Sequence, residues 1–383
     1  MKRLSEAEFR NKITWMTFIL SCLVVMIHSY NADLFINGEG TGVFAESVKQ
    51  VQALVSLAVP SIAVPGFFII SSYLFFRDVS WGEIPDKMTR RVRSVLIPYI
   101  VWNTLYYFLF IVVSRIPVLS SVAGKGMVVF SLENLADAII NYTYNPVLWY
   151  MQQLILLIAL APAVYAVMSN LWAGGAAIAV LLYFLGKATV IPVLNLDALL
   201  YFSSGAYLAL HGRRLAEKRD GDKAVSRLLK WAVVLACVLL CIMMFRTTHR
   251  YANFLTAVLY GLLAPVTIWI ALPSGRLPAP APWMKESFFL YAFHFLIVRT
   301  INKAASLVLP HTAGVALILY FAVAAAAVLL SWGTSDFLKR KIPPLWKLLS
   351  GGRLKMLSKC LVLSVRRIPT GRKRRRAAPA RFP

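Results

Sequence analysis

Apolar residues fall into long blocks separated by short polar stretches, near 13–31, 51–76, 94–114, 147–168, 171–186, 198–212, 231–245, 253–272, 287–307 and 313–334. A helix needs roughly 17–25 apolar residues to cross about 30 Å of hydrocarbon, and most of these blocks meet that length. The pattern predicts an all-α polytopic membrane protein with about ten transmembrane helices. The fifth, sixth and seventh blocks are short, so they are either lengthened by their flanks or broken and buried inside the bundle. The first block lacks a small-residue cleavage site before Asn31 and carries His28 near its end, which marks it as a retained helix. No internal repeat is visible, and no segment between blocks is both long and patterned enough for an extramembrane domain.

Charge sets the expected orientation, because loops rich in Lys and Arg stay in the cytoplasm. With the N-terminus inside, segments 1–12, 77–93, 211–230, 273–286 and 335–383 hold 33 of the 41 Lys and Arg residues, and the outward connections hold 6. Both termini are therefore expected in the cytoplasm. The net charge of +25 suits nucleic acid or anionic lipid. Its concentration beside apolar blocks points to lipid, and no nucleic-acid partner is expected. The chain reads as a membrane domain over 1–334 and a basic cytoplasmic tail over 335–383. In that tail apolar clusters alternate with Lys and Arg before Arg372-Lys373-Arg374-Arg375-Arg376, as an interfacial segment drawn to anionic headgroups would. With 59% hydrophobic and 15% charged residues and a mean hydropathy of +0.68, an ordinary soluble enzyme is excluded.

Ionisable side chains inside apolar blocks are costly and so mark function. None of the 16 acidic residues lies well inside a block, which weighs against an ion-coupled transporter. His28, in Val24-Val25-Met26-Ile27-His28-Ser29-Tyr30, offers the side chain best suited to take a proton from a hydroxyl near neutral pH. Its plain alternative is an interfacial histidine bonded to Ser29 or a backbone carbonyl. In Lys87-Met88-Thr89-Arg90-Arg91-Val92-Arg93, Arg90 and Arg93 share a helix face and can grip a phosphate with planar, fork-like donors. The plain alternative is a positive-inside flank. His294 is the other embedded histidine, suited either to chemistry or to a hydrogen bond within the bundle. Leu148-Trp149-Tyr150 opens the fourth block as an aromatic belt would. Cys22, Cys237, Cys241 and Cys360 show neither metal-ligand spacing nor a disulfide framework, so no metal is expected.

Taken in order, Leu23-Val24-Val25-Met26-Ile27-His28-Ser29, Pro65-Gly66-Phe67-Phe68-Ile69-Ile70-Ser71, Arg90-Arg91-Val92-Arg93 before Ile97-Pro98-Tyr99, Leu148-Trp149-Tyr150 and Phe289-Leu290-Tyr291-Ala292-Phe293-His294 resemble the integral-membrane acyltransferase-3 family. These are ten-span enzymes that O-acylate surface polysaccharides and related sugars. The resemblance covers the chain to about residue 334. It implies a catalytic His28, donor binding by Arg90, Arg91 and Arg93, and supporting roles for Ser71, Trp149, Tyr150 and His294. It departs at Thr17, where many members place an Arg, and at Ser71-Ser72, where many have Ser-Gly. The implied reaction moves an acyl group, acetyl by expectation, from acyl-CoA to a hydroxyl of a surface glycan or lipid-linked sugar. The implied location is the cell membrane, expected to be a bacterial plasma membrane. Rival readings are a transporter or flippase for a glycan or lipid intermediate, and a structural or sensory membrane protein. One geometric problem accompanies the enzyme reading. His28 lies about 22 Å along the helix from a start near Ile13, while the arginines sit at the opposite face. The CoA arm must reach deep into the bundle, or the acyl group must be relayed.

Overall fold

The computed structural model describes residues 3–36, 42–117, 119–120, 124–219, 224–248, 254–274 and 277–352. Among them the chain is helical, with only an isolated bridge between Arg3 and Lys218 in place of strands. Four helical stretches are long and apolar enough to cross a membrane: Glu6–Phe35, Val43–Phe76, Trp81–Val113 and Ala313–Lys341. The pair Pro146–Ala159 and Ala161–Met168, bent by 62°, makes a fifth when counted as one span. Leu171–Gly186, Lys230–Met243 and Thr256–Ala271 are shorter apolar helices. The remaining blocks are helical too but meet that criterion less well, for visible reasons. Leu196–His211 has only 16 residues, and Ser287–Val308 is interrupted by His294, Arg299 and Lys303.

The elements that matter for the site are α1 (Glu6–Ser29), α2 (Ala63–Phe76), α3 (Ile84–Arg91), α4 (Ile97–Val113), α5 (Trp149–Ala159), α6 (Leu196–His211), α7 (Ser287–Val308), α8 (Ala313–Lys341) and α9 (Pro343–Ser350). A capping box starts α1: the Glu8 amide donates to Ser5 Oγ at 3.2 Å, and the Glu8 carboxylate accepts from the Ser5 amide at 2.8 Å. Ahead of α2, Pro60 cannot donate a backbone hydrogen bond, and the chain passes through a π turn (Leu54–Ala58) and a 3-10 turn (Val59–Ile62). The far end of α2 is held by Lys87, whose ammonium donates to the Phe75 and Arg77 carbonyls at 2.8 Å each. Packing of α2 on α6 depends on a missing side chain. A Cβ on Gly205 would stand 2.4 Å from the Ile69 carbonyl oxygen, so only glycine admits this close an approach.

Helices α1 and α7 run side by side in the same direction. Ser21 Oγ reaches the Ser287 carbonyl at 3.4 Å and the His28 ring meets the His294 ring, and both pairs are offset by 266 residues. Beyond α8, α9 folds back onto α4 and α7. Trp346 packs against Phe289 at 5.3 Å between ring centroids, tilted by 41°, and Trp102 Nε1 donates to the Leu349 carbonyl at 3.2 Å. Gly351 then turns with φ of 67°, where a Cβ would meet the Ser94 backbone at 2.9 Å. The rest of the predicted tail, 353–383, lies outside the described residues, and Cys360 with it.

One ion cluster ties the start of the chain to the ends of α2 and α6. The buried Glu217 carboxylate accepts from Tyr73 Oη at 2.8 Å, Arg77 Nε at 2.7 Å and Arg213 Nε at 3.0 Å. Arg77 also reaches Glu6 at 2.9 Å, and the Leu4 amide donates to the Glu217 carbonyl at 2.9 Å. Burial alone would raise the pKa of Glu217. The hydrogen bonds from Arg77, Arg213 and Tyr73 outweigh it and hold the carboxyl below its ordinary value.

Candidate active site

A cavity of about 520 Å³ opens at the N-terminal end of α1 and reaches into the bundle. On α1 it is lined by Ala7, Arg10, Asn11, Thr14 and Thr17, the i, i+3, i+4, i+7 face of one helix. That face runs about 15 Å at 1.5 Å per residue. Near the mouth stand Arg10, Arg91 and Lys285, and deeper in stand Ser71, Tyr150 and Tyr291. Its size and its few convergent polar groups on an apolar wall are those of a small-molecule site.

Local helix geometry decides which arginine faces this space. After α3 the chain makes a π turn over Val92–Leu96 before α4 begins. Across this junction Arg91 lines the main cavity, whereas Arg90 and Arg93 line a separate hollow of about 230 Å³ with Asp86 and Thr89. The three arginines therefore do not form one cluster.

At the deep end, the Ser71 and Tyr150 hydroxyls share a hydrogen bond of 3.1 Å. Tyr150 is fixed by Phe68, 4.6 Å away between centroids, and meets Tyr291 edge to face at 5.7 Å. Trp149 does not line this space; it is partly buried, with its ring 6.5 Å from that of Phe68. Tyr291 Oη donates to the Val147 carbonyl, and the Ala292 carbonyl accepts from Tyr106 Oη at 3.0 Å and Asn145 Nδ2 at 3.3 Å. These bonds pin the α7 turn that carries His294.

His294 is fully buried. Its Nδ1 lies 2.7 Å from the Tyr291 carbonyl and 3.1 Å from the Leu290 carbonyl. A carbonyl can only accept, so Nδ1 carries the proton and Nε2 presents a lone pair. Among the described residues that Nε2 is buried without a hydrogen-bond partner. The half-buried His28 ring sits 5.2 Å from the His294 ring, tilted by 43°, and 5.3 Å from Phe295 edge to face. Tyr291, at the deep end of the cavity, is one turn below His294, about 4.5 Å along the helix. The cavity thus comes within one turn of His294 along α7, and neither histidine is among its lining residues.

The end of α1 beyond His28 is set by residues that no local motif marks. Gln52 Oε1 accepts from the Asn31 and Ala32 amides at 3.1 and 3.0 Å, and Gln52 Nε2 donates to Asn31 Oδ1 at 2.9 Å. Asn31 Nδ2 donates to Asn302 Oδ1 at 3.3 Å, closing a buried polar cluster between α1, α7 and the helix before α2. Arg10, Lys285 and Tyr291 were also invisible as site residues in the sequence, since two look like charged flanks and one like an aromatic among many. Among the described residues no three of His, Cys, Asp and Glu come together as a metal site would require.

A family model described as an acyltransferase domain matches residues 10–336. No curated protein and no solved structure matches the chain.

Proposed function

The chain belongs to the acyltransferase-3 family and is an acyltransferase of the non-aminoacyl kind, and from that premise we propose that it carries an acyl group, acetyl by preference, from acyl-CoA to a sugar hydroxyl. The observation that carries this reading is the cavity running from Arg10, Arg91 and Lys285 to within one helical turn of the His28–His294 pair. Acyl-CoA has the matching distribution of chemistry, with phosphates at one end and a slender arm ending in the thioester. The phosphates belong at the basic mouth, where guanidinium forks give charge-assisted bonds, and the arm belongs along the α1 face. Its thioester then lies beyond Tyr150 and Tyr291, facing the histidines.

In the proposed reaction His28 removes the proton from the acceptor hydroxyl as that oxygen attacks the thioester carbonyl carbon. The new C–O bond forms, the C–S bond breaks, and the CoA thiolate leaves with the electron pair and is reprotonated. His294 holds the His28 face of the site. With Nδ1–H committed to two carbonyls, it offers only its Nε2 lone pair toward that space. The acceptor is a glycan or lipid-linked sugar at the end of the bundle where α1 and α7 finish.

We read the bundle as ten spans in a cell membrane, a bacterial plasma membrane by expectation, with both termini and the donor cavity on the cytoplasmic side and the basic tail on anionic lipid. The parallel course of α1 and α7 supports this, since the first and ninth of ten alternating spans run the same way. A cysteine at Glu133 should react with an impermeant reagent added to sealed cells, and one at Arg214 should not. Labelling at Arg214 overturns this orientation.

Donor binding is tested by the arginines. Arg91→Ala is expected to raise KM for acyl-CoA about tenfold or more, while KM for the acceptor stays within about twofold, because one charge-assisted contact is worth about 1.5–3 kcal/mol. Arg90→Ala should have the smaller effect on donor KM. An unchanged donor KM in Arg91→Ala with a large rise in Arg90→Ala would move the donor to the Arg90–Arg93 hollow.

A further inference from the structure

Helix α8 has 29 residues, so at 1.5 Å per residue it runs about 43 Å and outreaches a hydrocarbon layer of about 30 Å. Its last turn is the basic Lys339-Arg340-Lys341. Ile342, which precedes a proline, leaves the helical region at φ of −134° and ψ of 61°, and Pro343 then opens α9, where its missing N–H costs nothing. The chain turns back here. On α9 the buried residues Trp346, Leu349 and Ser350 share one face at i, i+3 and i+4, and Leu348 on the other side is exposed.

This hook grips two places, and each adjoins the wall of the donor cavity. On the α7 side, Lys339 donates to the Glu286 carboxylate and lies over the Trp346 ring at 4.8 Å, and Trp346 packs on Phe289. Glu286 and Phe289 are chain neighbours of Lys285, Ser287 and Phe288, which line the cavity. On the α4 side, Trp102 donates to the Leu349 carbonyl and Gly351 lies against the Ser94 backbone. A Cβ on Gly351 would stand 2.9 Å from Ser94 Cα and 3.0 Å from both the Ser94 carbonyl oxygen and Pro98 Cγ. Ser94 adjoins Val95 and lies three residues from Arg91, and both of these line the cavity. Trp102 closes the triangle by meeting Phe289 edge to face at 5.5 Å. No residue of α9 is among the lining residues.

We propose that α9, together with Lys339, is a clamp that positions the donor site: by tying the Ser94 backbone to the 286–289 turn it fixes the spacing of Arg91 and Lys285 at the cavity mouth. Trp346 and Gly351 are its positioning residues. Cations carried on separate segments bind one ligand well only when their spacing is set beforehand, since otherwise binding must also order the segments. The clamp sets it from outside the cavity. It lies beyond residue 336, outside the matched acyltransferase domain. Its effect on the donor rests on the acyl-CoA reading above, and the test separates the two.

Trp346→Ala and Gly351→Ala are made in the full-length protein in nanodiscs, and CoA binding is measured by calorimetry beside backbone hydrogen exchange of the ligand-free protein. Exchange over 91–96 and 284–289 is expected to rise about tenfold or more in both variants, with exchange in α2 and α6 unchanged. Kd for CoA and KM for acyl-CoA should rise about fivefold or more, while kcat at saturating donor and KM for the acceptor stay within about twofold. Trp346→Phe, which keeps a ring on Phe289, should remain within about twofold of wild type in each measurement, and so should Leu348→Ala on the exposed side of α9. If Trp346→Ala does not fold, Gly351→Ala, which removes no packing, carries the test with Lys339→Gln beside it. Wild-type affinity for CoA in variants whose exchange has risen overturns the proposal, and so does unchanged exchange over the two segments. A loss of kcat and folded yield at unchanged CoA affinity makes α9 packing alone and overturns it too. Wild-type protein that binds no CoA overturns the donor reading, and the clamp is then decided by exchange.

Discussion

His28→Ala is expected to lower acyl transfer by about 10²–10⁴-fold, the usual contribution of a positioned general base. The same variant should keep normal expression, membrane insertion and affinity for acyl-CoA. His28 is half-buried near the end of α1 and bonds to none of the groups that fix that end, which is held instead by Gln52, Asn31 and Asn302. On the proposed mechanism, removing the imidazole should remove chemistry and leave the scaffold standing. His294 differs, being fully buried with Nδ1 bonded to the turn below it. His294→Ala should lower transfer less and folded yield more, because its loss opens a cavity in a packed interior. Steady-state rates at equal folded amount, read against thermal melting of the same preparations, separate the two effects. Transfer by His28→Ala within tenfold of wild type would remove it from the mechanism.

The second large effect is on stability. Glu217→Gln should destabilise the protein by about 3 kcal/mol, because it leaves Arg77 and Arg213, both largely buried, facing a neutral amide. At a few degrees per kcal/mol this is a drop of about 6 °C in Tm. The sign of the pH dependence follows from the depressed pKa of Glu217. A carboxyl that ionises more easily in the folded protein contributes its stability above the ordinary carboxylate value of 4.5 and loses it as pH falls below that, through the folded value. Wild-type Tm should therefore fall as pH drops below about 4.5, and Glu217→Gln should lack that part of the fall. A variant with wild-type Tm at pH 7 would show that the cluster is held by its surroundings and not by charge.

Glu217 also shows what the sequence withholds. In the chain it stands in a charged stretch, Arg213-Arg214-Leu215-Ala216-Glu217-Lys218-Arg219, that reads as a solvated loop. Only the fold brings Arg77 and Tyr73 to it and buries it. Gln52 and Asn302 are equally silent, because the partners that satisfy them are far away along the chain. The apolar blocks were legible, since each forms helix, and so were His28 and His294, because a polar residue inside an apolar run stands out without any partner. The arginine motif was legible as a motif but not in its geometry. Three-residue spacing keeps Arg90 and Arg93 together, as the hollow they share shows, and Arg91, about 100° round the helix, faces the main cavity; spacing alone does not say which of the two faces meets the bundle interior. Likewise the segment after residue 341 looked interfacial by its alternation of apolar and basic residues, yet Trp346 and Leu349 are buried against α4 and α7.

In the proposed mechanism the acyl donor enters by the basic mouth and brings its thioester to the histidine pair. A cryo-EM map of the protein with a non-hydrolysable acyl-CoA analogue tests it most directly. The phosphates are expected against Arg10, Arg91 and Lys285, and the thioester mimic beyond Tyr150 and Tyr291, facing His294 and His28. Phosphates seated in the Arg90–Arg93 hollow with the main cavity empty, or an analogue bound at the opposite end of the bundle, would contradict it.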